Sequence, residues 1–472
     1  MVQRLLTKYG LIAHVACICL FPVGVLGQAR LAGLTPLFWL SFLALEWMFL
    51  LPSVKHGETL ADARRRMWHA FLWDPFLYAG AMFVALAGVQ CLNSGLELVY
   101  LPDADIWQLS EPSFARAPFA VERNAAFAHL AWFTACCVVG VALRTAVGKG
   151  AKRVLLQLLA CASGLIAFCM VAFALYGLVP YAAWAKAAGA PAAGTFFGFW
   201  MLLGVGLFAE KAEREQRISL SLFALAGIGN LLGMLFFASP MLTVVFLAVG
   251  VLLLFYGMVY LAPLISKVVQ LKLFVVHFVC LGAVAISLVY LFPQNPVAEK
   301  LKLALRVEEH WTALAARNEV RSEAALSVWQ QHPWTGVGAD GFYHYVALAV
   351  KQDQWHLIDQ DRALVFSDGV QFLCEYGVFG VGLMLAALIA LLIPLFYRAR
   401  VLWKHKERHK ASDRAFFILR LSPIIVTGCV AAVLCCLESF VASPFRAPSV
   451  MLSWVCVLAA LPVFLPERGH DG

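Results

Sequence analysis

Long apolar runs separated by short charged or turn-forming stretches fill the chain almost from end to end. Runs long enough to cross a bilayer fall near residues 9–27, 32–52, 74–94, 125–146, 154–179, 194–209, 218–238, 241–263, 273–293, 369–396, 416–438 and 448–465. A bilayer crossing takes about 20 apolar residues. In lipid the backbone polar groups must be satisfied within the segment, so each run is expected to be a helix. The alternation of a membrane β-strand is missing; Val244 to Leu254, for example, does not alternate. The first run follows Arg4 and Lys8 and reads as a retained span, because no small-residue cleavage site follows and a second run begins almost at once. The sixth run is the shortest. The pattern therefore predicts an all-α, polytopic membrane protein with about twelve transmembrane helices. Spans one to nine occupy residues 1–293, a large outer loop 294–368, and spans ten to twelve 369–472.

The polar positions give the runs a direction. The loops on one side of the expected bundle hold twenty-three Lys and Arg, and the short loops on the other side hold five: Arg30, Arg116, Arg123, Lys186 and Arg446. Basic loops stay cytoplasmic, so both termini are expected there and the long loop outside. Within that loop Leu301 to Leu314 places apolar residues at helical intervals among Glu and Arg, which predicts an amphipathic helix against the outer face. A second helix is expected to stop at Pro333, followed by a glycine turn through Gly336, Gly338 and Gly341. Asp368, Gln371 and Glu375, at i, i+3 and i+7, share one face at the start of the tenth span; a carboxylate there also suits a helix N-terminus.

Composition narrows the function classes. Of 472 residues, 62% are hydrophobic and 14% charged, with a mean hydropathy of +0.80; a soluble domain carries about 25% charged residues. The net charge of +8 follows the loops and forms no nucleic-acid patch. Most of the thirteen cysteines lie inside apolar runs, as with Cys136, Cys137, Cys435 and Cys436, and read as small buried hydrophobes. Neither a metal-ligand spacing nor a nucleotide-binding fingerprint is present, and no cofactor is expected.

Two stretches resemble a known family. Arg321, Trp329, His332-Pro333, Gly336-Val337-Gly338 and Phe342, followed by Asp368, Gln371-Phe372-Leu373, Glu375-Tyr376-Gly377 and Gly380, are similar to the signature of the O-antigen ligase and polymerase family, which includes protein O-oligosaccharyltransferases. The likeness covers about 60 residues. Gly194-Thr195-Phe196 and Ser239 are weaker echoes. The chain departs from the family pattern at Phe366, where members usually carry a histidine, at Pro240, where they carry an arginine, and at Phe197, Gly198 and Phe199, where asparagines are common.

The resemblance implies a bacterial inner-membrane enzyme that moves a glycan from undecaprenyl diphosphate to an acceptor hydroxyl, on a lipid or a protein, at the periplasmic face. Such chemistry needs fixed cations for the leaving diphosphate and a polar group for the acceptor hydroxyl. Arg321 and Arg362 are the expected cations, Asp368 the orienting carboxylate, and His356 the candidate replacement for the missing histidine. Arg123, His344, Gln371 and Glu375 are the expected substrate contacts. Ordinary alternatives stand beside them: a pairing with Glu319 or Glu323 for Arg321, helix capping for Asp368, an interfacial arginine that snorkels for Arg123, a polar loop residue for His344 and His356, an ion pair for Arg362. His129 and His277 lie within spans, where a buried, hydrogen-bonded histidine is expected; Asn230, Arg420 and Glu438 show no evident partner.

Overall fold

A computed structural model describes residues 41–42, 44–46, 48–50, 52–55, 57–96, 98–101, 106–114, 116–175, 190–213, 217–261, 307–351, 354–355, 365–407 and 422–465. The helices are α1 (Leu60–Leu72), α2 (Pro75–Leu92), α3 (Arg123–Thr145), α4 (Lys149–Leu175), α5 (Ala190–Glu213), α6 (Arg217–Phe237), α7 (Pro240–Leu261), α8 (Val307–Gln331), α9 (Gly341–Ala349), α10 (Asp368–Glu407), α11 (Pro423–Glu438) and α12 (Pro448–Ala460). Among the described residues, five helices are long and apolar enough to cross a membrane: Pro75–Leu92, Arg123–Thr145, Lys149–Ala172, Ala193–Glu210 and Asp368–Val401. Shorter apolar helices cover Leu222–Phe237, Leu242–Leu253, Pro423–Glu438 and Pro448–Phe464. The expected first and ninth spans fall outside the described residues.

Contacts between helices fix their directions. Arg144 at the end of α3 pairs with Asp74, which caps the start of α2. Thr195 in α5 donates to Glu438 at the end of α11. Arg153 in α4 pairs with Glu210 at the far end of α5. These pairs run the helices alternately up and down. Among the described residues, the connections 93–122, 238–239 and 439–447 lie at the same end as α8 and α9. The opposite end carries Arg144, Lys149, Lys152, Arg153, Arg398 and Arg400. These belong to two of the basic loops expected from the sequence; Arg4, Lys8, Arg214, Lys267, Lys272 and Arg468 lie outside the described residues.

Close helix packing rests on small residues that let backbones approach. A Cβ on Gly164 would meet the Ala226 backbone, and one on Gly194 the Ala238 backbone. Around these contacts lies a core rich in aromatic side chains, including Trp132, Phe196, Phe197, Trp200, Phe237 and Phe246. Phe197 and Phe199, placed where the related pattern carries asparagines, are wholly buried in it.

Several elements differ from the expectation. The sixth span is no short piece: α5 runs from Ala190 to Glu213. The connection after α2 holds an antiparallel pair, β1 (Leu98–Leu101) with β2 (Ile106–Leu109), in register Leu98↔Leu109 to Leu101↔Ile106. Residues 301–306 of the expected amphipathic helix are outside the described residues; the observed helix, α8, continues to Gln331 and stops before Pro333 as predicted. The tenth span is not one straight helix. Gly377 adopts φ 63 and ψ −170 inside α10, a region open in practice to glycine alone.

Candidate functional site

The break at Gly377 joins the two halves of the motif. Backbone groups freed from the α10 ladder pair with the turn after α8. Val337 N donates to Cys374 O (3.0 Å) and Gly338 N to Glu375 O (2.8 Å), while Val378 N donates to Pro333 O (2.9 Å) and Phe379 N to Trp334 O (3.1 Å). Gln90 from α2 bridges the same place, with Nε2 donating to Thr335 O and Glu375 O at 2.8 and 3.1 Å. Gly336 and Gly338 have φ of 67 and 81, and a Cβ on either would run into the backbone of Glu375 or Ala120. The turn residues therefore exist to dock the insert onto a discontinuous helix.

The docked turn orders the insert. Ala325, Val328, Val337, Phe342, Val346 and Val365 form a small core with Cys374 of α10. His332 lies between the Phe119 and Tyr345 rings, with centroids 5.1 and 6.2 Å away. Burial lowers its pKa below the usual 6.5, because a low-dielectric site disfavours the charged ring.

Beneath the insert lies a buried polar cluster. Asp368, Gln371 and Glu375 do share one face, and all three are buried. Gln371 Nε2 donates to Glu375 Oε1 at 3.0 Å, and its Oε1 accepts from Val365 N at 3.2 Å. Arg446 Nη1 donates to Glu375 Oε2 at 2.5 Å, and its Nη2 donates to Asp340. Asp340, the residue before α9, takes φ 54 and makes no capping bond; its side chain turns to Arg446 instead. His129 approaches Asp340 through Nε2 at 3.8 Å and bonds the Tyr376 hydroxyl through Nδ1 at 2.8 Å. Arg446 sits in the 3-10 turn Pro444–Arg446. Flanking carboxylates hold its pKa above the ordinary value against the opposing effect of burial.

Asp368 Oδ2 accepts from Phe445 N at 2.9 Å, and its other oxygen has no hydrogen-bond partner among the described residues. Arg321 is 1% exposed, with its guanidinium 4.7 Å above the Phe366 ring. Phe366 itself has φ 59.

The structure thus brings together Asp368, Gln371 and Glu375, and adds Arg446, Asp340, His129 and Tyr376. Arg321 lies next to Phe366 rather than on an open surface. His344 is 3.8 Å from Glu122. Arg123 is exposed on the first turn of α3. Arg362 and His356 fall outside the described residues. Glu438, which showed no partner in the sequence, bonds Thr195 at 2.6 Å, and Asn230 Nδ2 donates to Ala160 O at 3.3 Å. Arg446 entered the sequence reading only as a loop charge. Its setting, an arginine bracketed by Pro444 and Pro448, was the available sign that it was held rigid. A comparison with protein-family models and with curated proteins finds no match to this chain.

Proposed function

We propose that this chain is a multi-pass transferase of a bacterial inner membrane that moves a glycan from undecaprenyl diphosphate to a hydroxyl of a lipid or protein acceptor. One observation carries the reading. Two arginines lie at the junction of the insert with the spans: Arg446, its side chain 10% exposed and paired with Glu375, and Arg321, buried on α8 against Phe366, two residues before Asp368. A diphosphate leaving group needs fixed cations held in a site that excludes water, and arginine's planar fork suits phosphate oxygens. Asp368, with one carboxylate oxygen unengaged among the described residues, can orient the acceptor hydroxyl. In this reading the insert is periplasmic and both termini are cytoplasmic.

A second reading, a non-catalytic or export-associated protein on the same scaffold, is favoured by the pairing of Arg446 with two carboxylates, which leaves it little charge to offer a substrate. Complementation of a deletion strain separates the two. Arg321→Ala should lower glycan transfer by roughly 10²-fold at unchanged expression. Wild-type transfer by that variant would refute the site assignment, and no transfer by the native protein would favour the second reading. For orientation, Lys351→Cys, at an exposed insert position, should react with an impermeant thiol reagent in intact spheroplasts. Reaction only after lysis would reverse the topology.

A further inference from the structure

The basic end of the bundle carries a charge imbalance that the function at the other end does not use. Arg144 is matched by Asp74, with Nε–Oδ2 and Nη2–Oδ1 both at 2.8 Å. Arg153 is matched by Glu210 at 3.2 Å. Among the described residues Arg398 bonds a carbonyl, Pro462 O, at 2.7 Å, and no carboxylate. Lys152 is 6% exposed, and its ammonium has no anionic or hydrogen-bonding partner among the described residues. The charges near enough to act on it are Arg398 and Arg144, both of its own sign. Of these four cations, Lys152 and Arg398 have no carboxylate partner among the described residues, one buried and one exposed.

An ammonium withdrawn from water beside like charges is strongly unfavourable unless an anion joins it. The position says which anion. Lys152 lies one turn into α4, which begins at Lys149. Arg398 lies one turn inside the end of the apolar stretch Asp368–Val401. Both therefore stand at the depth where the headgroups of one leaflet meet the ends of the spans. Basic pockets between helices at that level bind anionic headgroups. A phosphodiester presents two unesterified oxygens, enough for an ammonium and a guanidinium at once.

We infer that Lys152 and Arg398 form a headgroup site for an anionic phospholipid of the leaflet at the basic end, with the lipid phosphate bridging the two cations. The site is independent of the transferase reading and stands if that reading fails.

The test uses the full-length protein, delipidated in neutral detergent, and native mass spectrometry with phosphatidylglycerol, phosphatidylcholine or inorganic phosphate. Phosphatidylglycerol should bind selectively and raise the unfolding temperature. Lys152→Met should weaken that binding by about fivefold, the equivalent of about 1 kcal/mol per basic residue. The variant should fold, since it removes a buried unmatched charge. Arg65→Gln, an exposed basic residue on α1, should leave the binding unchanged. Equal loss in Arg65→Gln would mean general surface attraction and overturn the site. Equal stabilisation by inorganic phosphate would replace the lipid with a soluble anion. Destabilisation of Lys152→Met in plain detergent, with lipid binding intact, would mean that a carboxylate of the chain itself holds Lys152, and would also overturn it.

Discussion

Removing Arg446 should undo the attachment of the insert to the bundle. Its guanidinium joins Asp340, at the head of α9, to Glu375, in the first part of α10. The side chains of Arg446 and Glu375 are 10% and 0% exposed, and that of Asp340 is 25% exposed. Breaking a buried pair by deleting one partner costs about 3–5 kcal/mol, chiefly because the remaining charge is left uncompensated. Here two carboxylates remain. Glu375 bears the full penalty, whereas Asp340, a quarter exposed, recovers part of its hydration. Arg446→Met is therefore expected to cost about 3–4 kcal/mol. Thermal unfolding followed by tryptophan fluorescence should fall by several degrees, and residues 332–351 should become open to protease before the spans unfold. The double variant Arg446→Met, Glu375→Gln removes both charges and should recover much of the loss, since replacing both partners costs far less than orphaning one. If the single variant unfolds at the wild-type temperature with the insert protected, the ion triad does not hold the insert. If the double variant is as unstable as the single, buried charge is not the cause.

Two further outcomes follow from the same junction. Gly377→Ala should destabilise by at least about 1–3 kcal/mol and free the insert to exchange amide hydrogen, because φ 63 with ψ −170 excludes a side chain and a Cβ would strike the Trp334 backbone; wild-type stability would mean α10 is continuous there. The lowered pKa of His332 means that stability present above about pH 6.5 is lost as pH falls through the unfolded pKa towards the folded one, since the unfolded chain binds the proton first. Hydrogen exchange across 332–341 should therefore quicken between about pH 7.5 and 5.5, and a flat profile in the wild type would dismiss the effect.

Apolar periodicity located most of what it could locate. Run length alone placed α2, α3, α6 and α7 within a few residues, since a bilayer-length apolar segment has one way to satisfy its backbone. The sixth span read as short because its ends are Ala-rich at Ala190 and charged at Glu210. The ion pair to Arg153 lets the helix carry that charge inward, and a hydropathy count cannot see a partner that lies on another helix. The break in α10 was silent for a similar reason: glycine in an apolar run carries no sign of its φ. Arg446 was hidden by distance, lying 71 residues from Glu375 and 106 from Asp340. The strand pair went unnoticed inside an outer connection, although Leu98–Leu101 and Ile106–Leu109 flank a Pro-Asp turn signal.

Phe366 shows how a departure from a familiar pattern can be read physically. A bulky residue at φ 59 holds a conformation that costs about 1–3 kcal/mol. The guanidinium of Arg321 over its ring at 4.7 Å returns about 0.5–2 kcal/mol, more when the pair is desolvated, and Arg321 is 1% exposed. The two terms are of one size, so the aromatic face offsets the strain of its own backbone. An imidazole at this position would keep the backbone conformation but add a titratable charge beside a buried arginine. Phenylalanine keeps the arginine seated at every pH. On this argument the apolar side chain preserves the placement of Arg321, and what it surrenders is proton transfer from this position, a task that must fall to another group, such as Asp368, if the chain catalyses transfer.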